Sequence, residues 1–174
     1  MTSAVARAPL QVLVLPFRAA ASGAIEFAIF RRSNYPDECW QGIAGGAEER
    51  ETAEQAARRE MREEAGIPPD TPLIPLDSIA SIPVSFFRDR HLWGPATYVV
   101  PQHAFGVQLG GHEIILSDEH TEFRWVSYED AVRLLRWDSN KTALWELRER
   151  LQRSTPRVRG DLEPPVRLAG EDTA

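Results

Sequence analysis

The chain of 174 residues is notable first for what it lacks: it has one cysteine, no long apolar run and no excess of basic residues. A single cysteine, Cys39, excludes an internal disulfide and a multi-cysteine zinc site. No apolar segment approaches the ~20 residues that a membrane-spanning helix needs. The net charge of −6 argues against a nonspecific binder of nucleic acid or of an anionic membrane, because such proteins normally carry a basic patch.

The sequence also lacks a signal-peptide core before its first strand-like segment, and it contains no internal repeat. We therefore expect a cytoplasmic protein. Its length suits one domain with a proper core, and 43% hydrophobic with 26% charged residues is typical of a globular protein. The sequence leaves the oligomeric state open, including a homodimer.

Apolar periodicity and turn residues predict an α+β fold in which a mixed sheet has helices packed on it. Residues 10–153 form the predicted domain, between a flexible segment 1–9 and a tail 154–174 whose proline, glycine and charge predict disorder. The predicted strands cover residues 11–17, 24–32, 39–46, 77–87, 96–107 and 121–127, with a loop at 88–95 and helices at 53–65, 128–136 and 139–153.

The stretch GGAEERETAEQAARREMREEAGI, residues 45–67, holds seven glutamates in 23 residues. Thr52 and Gln55 fit a capping box, so the helix is predicted to start after Thr52. Gly66 is a natural C-terminal stop, and the two prolines that follow Ile67 prevent continuation.

Three of these glutamates lie together on the predicted helix. Glu60 and Glu64 are four residues apart, and Glu63 flanks them beside the apolar strip that contains Met61 and Ala65. Carboxylates clustered next to a core stay ionised only if a cation compensates them, and oxygen-only ligands suit Mg²⁺ or Mn²⁺. Taken alone, however, three glutamates on a helix are more typical of a solvated face.

The spacing decides between these two interpretations. Written out, the stretch is G-x5-E-x7-R-E-U-x-E-E-x-G-U, with U an apolar residue, and it resembles the Nudix box with every specified position filled. The box departs from the commonest form at Arg50, where a glycine often precedes the glutamate; this departure concerns the loop and not the metal site. The order of elements around the box, over roughly residues 10–150, also resembles the Nudix fold, which implies a mixed sheet sandwiched by helices (α/β/α).

The resemblance implies Mg²⁺-dependent hydrolysis of a phosphoanhydride in a small-molecule polyphosphate, with Mn²⁺ as an alternative ion. By position, Glu60 and Glu64 would be the principal metal ligands, and Glu63 a further ligand or a group that positions water. Arg59 would pair with a glutamate, Glu51 being the expected partner, and hold the loop against the helix. Gly45 would permit a backbone turn that a side chain would block.

Three short segments outside the box narrow the resemblance. CWQGIAG, SDEHTEFRWVS and WDSNKTAL resemble the dihydroneopterin triphosphate pyrophosphatases of bacterial folate synthesis, in which a Trp-Gln precedes the box, a Glu-His follows a loop and a Ser-Asn-basic triplet opens the final helix. By this resemblance Glu119 would be a metal ligand from outside the box and a candidate for the general base. The residues in contact with substrate would be Arg31 or Arg32, Ser139, and Trp40 through ring stacking.

Several alternatives stay open at the level of sequence. The substrate could instead be a (d)NTP, a dinucleoside polyphosphate or a nucleotide sugar, because the box is common to all of these enzymes. A ligand sensor with the Nudix fold but without catalysis is a third possibility, although such proteins usually have a degraded box. Trp40 could be a core residue, Glu119 a plain loop acid, and any of the glutamates Glu63, Glu64 and Glu119 the base.

Overall fold

The computed structural model describes residues 7–35 and 37–154, so the predictions for residues 1–6 and 155–174 lie outside the described residues. Seven strands and three helices follow one another in this part of the chain. In chain order they are β1 (Arg7–Ala19), β2 (Ile25–Arg32), β3 (Trp40–Gln41), β4 (Ile43–Glu48), α1 (Ala53–Ala65), β5 (Leu73–Pro83), β6 (Val99–Gln108), β7 (His120–Val126), α2 (Tyr128–Leu134) and α3 (Asp138–Ser154), with 3₁₀ turns at Val84–Phe86 and Arg88–Leu92.

Strand β1 lies at the centre of one mixed sheet in which the strands run in the order β3-β2-β1-β6-β5. Its parallel neighbour is β6, with Gln11 opposite Gln102. On its other side β1 pairs with β4 along its first half and with β2 at its end, both antiparallel. Strand β7 extends the sheet beyond β2. This arrangement brings the start of β1 next to both β4 and β6.

The residues of β1 alternate between two apolar cores, one on each face of the sheet. Val12 and Val14 pack with Met61 of α1, whereas Leu13 and Leu15 pack in the cluster that contains residues of α2 and α3. A strand buried on both faces reads as a continuous apolar run, as β1 does. The predicted sheet sandwiched by helices is therefore confirmed.

Several predicted boundaries are wrong where prolines and turns occur. Strand β1 begins at Arg7, inside the segment that the sequence assigned to a flexible N-terminus. Strand β5 starts at Leu73 and includes Pro75, which sits where the register with β6 shifts and where its missing N–H is tolerated. The same strand ends at Pro83, because the chain turns into a 3₁₀ segment instead of extending to Phe87.

Two smaller differences complete the comparison. The predicted strand 39–46 is divided into β3 and β4, and the predicted loop 88–95 contains a 3₁₀ helix. None of the helices in the described residues is long and apolar enough to cross a membrane.

Candidate functional site

Helix α1 has the ends that its sequence predicts. The Thr52 hydroxyl accepts from the Gln55 backbone N–H at 3.2 Å, and the Gln55 side chain accepts from the Thr52 N–H at 2.9 Å. At the other end Gly66 adopts φ 66° and its N–H donates to the Arg62 carbonyl. The left-handed conformation suits glycine and stops the helix. The glutamates that follow Arg59 are therefore held on one rigid element.

Glu60 and Glu64 lie on the buried flank of α1, with only 5% and 2% of each residue exposed. The Glu60 carboxylate occupies the space beside Gly45, where a Cβ atom would lie 2.0 Å from it. Gly45 is part of β4 and has no positive φ. The predicted role of Gly45 in a turn is thus wrong: the residue is glycine because the carboxylate approaches the strand closely.

Arg59 holds the loop before α1 against the helix, as predicted. It donates to both oxygens of Glu51, each at 2.9 Å, and to Glu60 at 2.7 Å. It also donates to the Gly46 carbonyl at 3.0 Å and to Glu63 at 3.2 Å. The hydrogen bond from Arg59 holds the pKa of Glu51 below its ordinary value, and the same bond raises the pKa of Arg59. Bidentate pairing of this kind fixes geometry as well as charge.

The one departure in the box has a structural counterpart. Arg50 has a φ of 73°, and no other non-glycine residue among those described has a positive φ. A side chain in this region costs about 1–2 kcal/mol relative to a right-handed conformation. The glycine that is common at this position would carry no such cost.

Glu64 is a deeply buried acid. Among the described residues its Oε2 atom has no hydrogen-bond partner. Burial, followed by the charges of Glu60 and Glu119, raises the pKa of Glu64 to about 9, against a smaller opposing effect of the Arg32 charge. The nearest histidine nitrogen, Nε2 of His120, lies 3.6 Å away. Burial lowers the pKa of His120 to about 4, so this histidine is neutral at neutral pH and supplies no positive charge. Burial also raises the pKa of Glu60.

These carboxylates are chemically suited to a divalent cation, although their side chains do not converge on one position. Within residues 7–35 and 37–154, no three His, Cys, Asp or Glu side chains converge closely enough to hold an ion, because Glu60 and Glu63 are turned toward Arg59. The partnerless oxygen of Glu64 is the observation that favours an ion, since a cation would stabilise its ionised form. Oxygen donors alone select a hard ion such as Mg²⁺ or Mn²⁺.

Glu119 reaches this region from a separate loop, as predicted. Its carboxylate lies 3.1 Å from Nη1 of Arg32, and its side chain is 57% exposed. Ser33 anchors the loop, because its backbone N–H donates to the Glu119 carbonyl at 2.9 Å. Glu119, Glu60 and Glu64 all line one cavity of about 220 Å³, which we call the glutamate cavity. Three arginines line it as well: Arg7, Arg32 and Arg88.

A second cavity of about 540 Å³ adjoins the first, and we call it the aromatic cavity. The two cavities share four lining residues, Gln11, Arg32, Ala44 and Phe87. The aromatic residues of this cavity are Tyr35, Phe86, Phe87 and Trp137. The Trp137 ring lies 6.4 Å from Tyr35 and 6.3 Å from Phe86, edge to face. The Trp137 indole N–H donates to Gln41 at 3.3 Å. A ring bound in this cavity would therefore contact the aromatic side chains of the protein as well as its polar amides.

The predicted substrate residues divide between the cavities and the core. Arg32 and Ser139, both predicted to contact substrate, line the aromatic cavity. Arg31 lines neither cavity and lies within 4 Å of Glu38 and Glu122 instead. Trp40 is only 1% exposed and belongs to the core that faces α2 and α3. The prediction that Trp40 stacks on a substrate ring is therefore wrong.

Sequence reasoning missed the side chains that form most of the aromatic cavity. A signal for the amides existed: Gln11 and Gln102 are polar residues inside apolar strands, and a polar residue there often faces a site rather than the core. Trp137 is the first residue of the WDSNKTAL segment that carried the family resemblance. Nothing in the sequence distinguished Trp137 from Trp40 as the ring that lines the cavity.

Comparison with known proteins identifies the family. A model of the NUDIX domain matches residues 9–146. The chain is 29% identical over 146 residues to dihydroneopterin triphosphate diphosphatase of Escherichia coli K12, an alignment that covers 83% of this chain and 95% of that protein.

Two solved structures extend the comparison to the fold. A NUDIX hydrolase of Listeria monocytogenes shares 42% identity and a TM-score of 0.75, covering 84% of this chain and 97% of that one. The dihydroneopterin triphosphate pyrophosphohydrolase of E. coli shares 27% identity and a TM-score of 0.65, covering 81% and 95%. The match of the family model over most of the chain, together with the complete box on α1, establishes that this chain belongs to the NUDIX family and is a pyrophosphohydrolase.

Proposed function

We propose that the protein hydrolyses dihydroneopterin triphosphate to the monophosphate and pyrophosphate, with Mg²⁺ or Mn²⁺ as its ion. The observation that supports this proposal most is the junction of two cavities of different chemistry. One carries carboxylates and arginines, and the other carries aromatic rings and amides. A triphosphate attached to a polar heterocycle needs both. The similarity to the E. coli enzyme over nearly its full length supports the same substrate.

Glu60, Glu64, Glu63 and Glu119 are the residues that would hold the ion. Glu60 and Glu64 line the glutamate cavity, and Glu119 lines it from its own loop. Glu63 is half-exposed, and its charged contacts with described residues are Arg59 at 3.2 Å and Arg62 at 3.8 Å. A bound divalent ion supplies neutralisation of the phosphate oxygens and of the charge that develops on the leaving group.

The protein side chains perform the remaining tasks. A carboxylate must take a proton from the attacking water, and Glu63, Glu64 and Glu119 are the candidates for this general base. Arg59 acts as a positioning residue, because it orients Glu60 through the hydrogen bond at 2.7 Å. These four residues account for the reaction at phosphorus.

The arginines of the glutamate cavity are suited to the phosphate chain. Arg32 lies at the junction of the two cavities, where the phosphate nearest the ring would sit. Arg88 lines the glutamate cavity and forms no ion pair with any described residue, so its charge is available to a ligand. We assign the pyrophosphate part of the substrate to the glutamate cavity, beside Arg88, and the ring to the aromatic cavity.

A substrate panel tests the proposal directly. Dihydroneopterin triphosphate, the common nucleoside triphosphates, a dinucleoside polyphosphate and a nucleotide sugar are compared, with pyrophosphate and orthophosphate detected separately. We expect the pterin to have the highest kcat/KM and pyrophosphate to be the first product. A common nucleotide with a kcat/KM at least about tenfold higher, which is a difference of about 1.4 kcal/mol in transition-state binding, would overturn the assignment. Orthophosphate as the first product would do so too.

A variant of Glu119 tests its part in the same proposal. Glu119→Ala should lower kcat far more than it raises KM, because the contribution of Glu119 is expected mainly in the transition state. Glu122→Ala is the matched control: Glu122 lies on the adjoining strand β7, pairs with Arg31 and Arg124, and lines neither cavity. Equal effects of the two substitutions would contradict the role of Glu119.

A further inference from the structure

The floor of the aromatic cavity is one row of residues across three strands. Gln102 of β6 is in register with Gln11 of β1 on one side and with Ala80 of β5 on the other. All three residues line the cavity. Side chains in register on neighbouring strands are only about 5 Å apart, so the two amides form one polar strip beside a small residue that leaves room above the sheet. Gln102 is the middle residue of this row.

The Gln102 amide is buried without being satisfied. Only 5% of the residue is exposed, and its Oε1 atom has no hydrogen-bond partner in the described part of the chain. Buried side-chain amides are normally paired, because leaving an acceptor dry and unpaired is unfavourable. Two other buried amides at this cavity are paired: Gln41 accepts from Trp137, and Asn140 accepts from the Gly42 N–H at 2.9 Å. The Gln102 oxygen therefore differs from the oxygens of Gln41 and Asn140 in lacking a partner among residues 7–35 and 37–154.

We propose that Gln102 is a specificity-determining residue that accepts a hydrogen bond from a ring N–H of the substrate. This inference rests on the proposed function, because it requires a heterocycle in the aromatic cavity. The chemical class that fits is a ring with a 2-amino-4-oxopyrimidine edge, which presents a ring N–H and an exocyclic amino group side by side. Pterins and guanine carry this edge, whereas adenine has an unprotonated nitrogen at the corresponding ring position.

The position of Gln102 in the row supports this choice of residue. The aromatic side chains at the cavity, among them Trp137, offer surface to the faces of a ring and do not distinguish one heterocycle from another. Discrimination then has to come from polar groups that meet the ring edge, and a site built around a hydrogen bond rejects a ligand that cannot complete it. Rotation of the Gln102 amide about its last torsion is soft, so its oxygen can be turned toward the ligand.

The test compares GTP with ATP, since these share a triphosphate and differ in the ring edge. kcat/KM is measured for both nucleotides with the wild-type enzyme, Gln102→Met and Gln102→Glu; for a nucleotide that is not cleaved, its competitive inhibition constant is used. Methionine keeps the length of the side chain and removes the acceptor, so the preference for GTP over ATP should fall about tenfold, mostly through KM. Glutamate keeps the acceptor and should hold the preference at or above the wild-type value.

Two controls separate this inference from its alternatives. Gln108→Met makes the same change at an exposed glutamine of the same strand and should leave the ratio unchanged. Melting temperatures of all variants show whether the effect is one of folding. If Gln102→Met leaves the ratio of kcat/KM for GTP to that for ATP unchanged, the inference is overturned. It is also overturned if Gln102→Glu loses as much of the preference for GTP as Gln102→Met does. The test uses nucleotides and not the pterin. The inference about Gln102 can therefore hold even if the pterin is not the preferred substrate, and the failure of one proposal is distinguishable from the failure of the other.

Discussion

The two cavities differ in how the chain builds them. Apart from Glu119, every glutamate that faces the glutamate cavity or pairs with Arg59 comes from one continuous stretch, residues 45–67. The aromatic cavity instead takes its residues from each of the strands β1 to β6, the turn after β2, the 3₁₀ segment after β5 and the start of α3. The chemistry at phosphorus is thus encoded locally, by spacing along a helix, whereas ring recognition depends on distant segments that only the folded sheet brings together.

The cavities also differ in electrostatics. In the first, burial raises the pKa of both Glu60 and Glu64, and Arg59 forms a network of charged hydrogen bonds. The second relies on neutral amides and aromatic rings. Charge that is positioned before the reaction stabilises the transition state, while neutral contacts with a ring stabilise substrate and transition state alike. Substitutions in the first cavity should therefore change kcat, and substitutions in the second should change KM.

Glu64→Gln should have the largest effect. It removes the charge of the most deeply buried carboxylate at nearly constant shape, and we expect kcat to fall by roughly 10²–10⁴. Steady-state kinetics with a Mg²⁺ titration measure this change. Glu54→Gln, on the exposed side of the same helix, is the control and should leave kcat within about twofold. If Glu64→Gln keeps the wild-type rate and Mg²⁺ dependence, the glutamate cavity is not the reaction site.

Gly45→Ala should come next. The added methyl group would lie 2.0 Å from the Glu60 carboxylate, so this carboxylate must move by an ångström or more. A displacement of about 1 Å in a catalytic group can cost about 10² in rate. Gly46→Ala is the comparison, because a Cβ there meets nothing closer than 3.4 Å. The fall in kcat should be much smaller for Gly46→Ala than for Gly45→Ala. Equal losses in the two variants would mean that space for Glu60 is not the reason for glycine at position 45.

Metal and pH should change stability through the same carboxylates. The pKa of Glu64 in the folded protein, about 9, lies above its ordinary value of 4.5. Its contribution to stability is therefore fully present below about pH 4.5 and is lost as the pH rises toward about 9. Metal-free protein should become less stable over this range, and Glu64→Gln should flatten the dependence.

Mg²⁺ should offset this loss. An ion that binds only the native state adds RT ln(1 + [L]/Kd), about 2.7 kcal/mol at a concentration of 100 Kd. Urea unfolding at about pH 6 and about pH 9, with and without Mg²⁺, measures both effects. A stability that is independent of Mg²⁺ in the wild type, or a gain of the same size in Glu64→Gln, would count against an ion held by Glu64.

Trp137→Phe should have the smallest effect. The change keeps an aromatic ring but removes the hydrogen bond to Gln41, so KM should rise about two- to fivefold while kcat stays nearly constant. Trp145→Phe makes the same substitution on α3 at a tryptophan that is 51% exposed, and it should change neither parameter. A fall in kcat without a change in KM for Trp137→Phe would break the proposed division between the two cavities.

Residues 45–67 show how far local sequence carries a prediction. The capping box and the end at Gly66 follow from spacing, and the pairing of Arg59 with Glu51 follows from the family resemblance. Each involves residues within one loop and one helix. The same stretch also shows a limit. The need for glycine at position 45 arises from a strand packing against Glu60, and spacing alone suggested a turn instead.

Trp40 and Trp137 show the limit more sharply. Both are tryptophans beside motif residues, and Trp40 was the one predicted to meet the substrate. The pairing of β3 with β2 buries Trp40 among core residues. Trp137 lies directly before α3 and lines the aromatic cavity. Which aromatic residue meets the ligand depends on the direction of strands and helices, which periodicity does not report.

The sequence by itself determined the family, the helix and the residues that can carry the charge, because these depend on contacts three to eight positions apart. The tertiary structure decided which side chains surround the ring and which carboxylates lose water, because both depend on segments as distant as Gln11 and Gln102. The raised pKa of Glu64 and the partnerless amide of Gln102 arise from burial in the assembled fold. Burial is a property of packed layers, and a local stretch of sequence does not specify it.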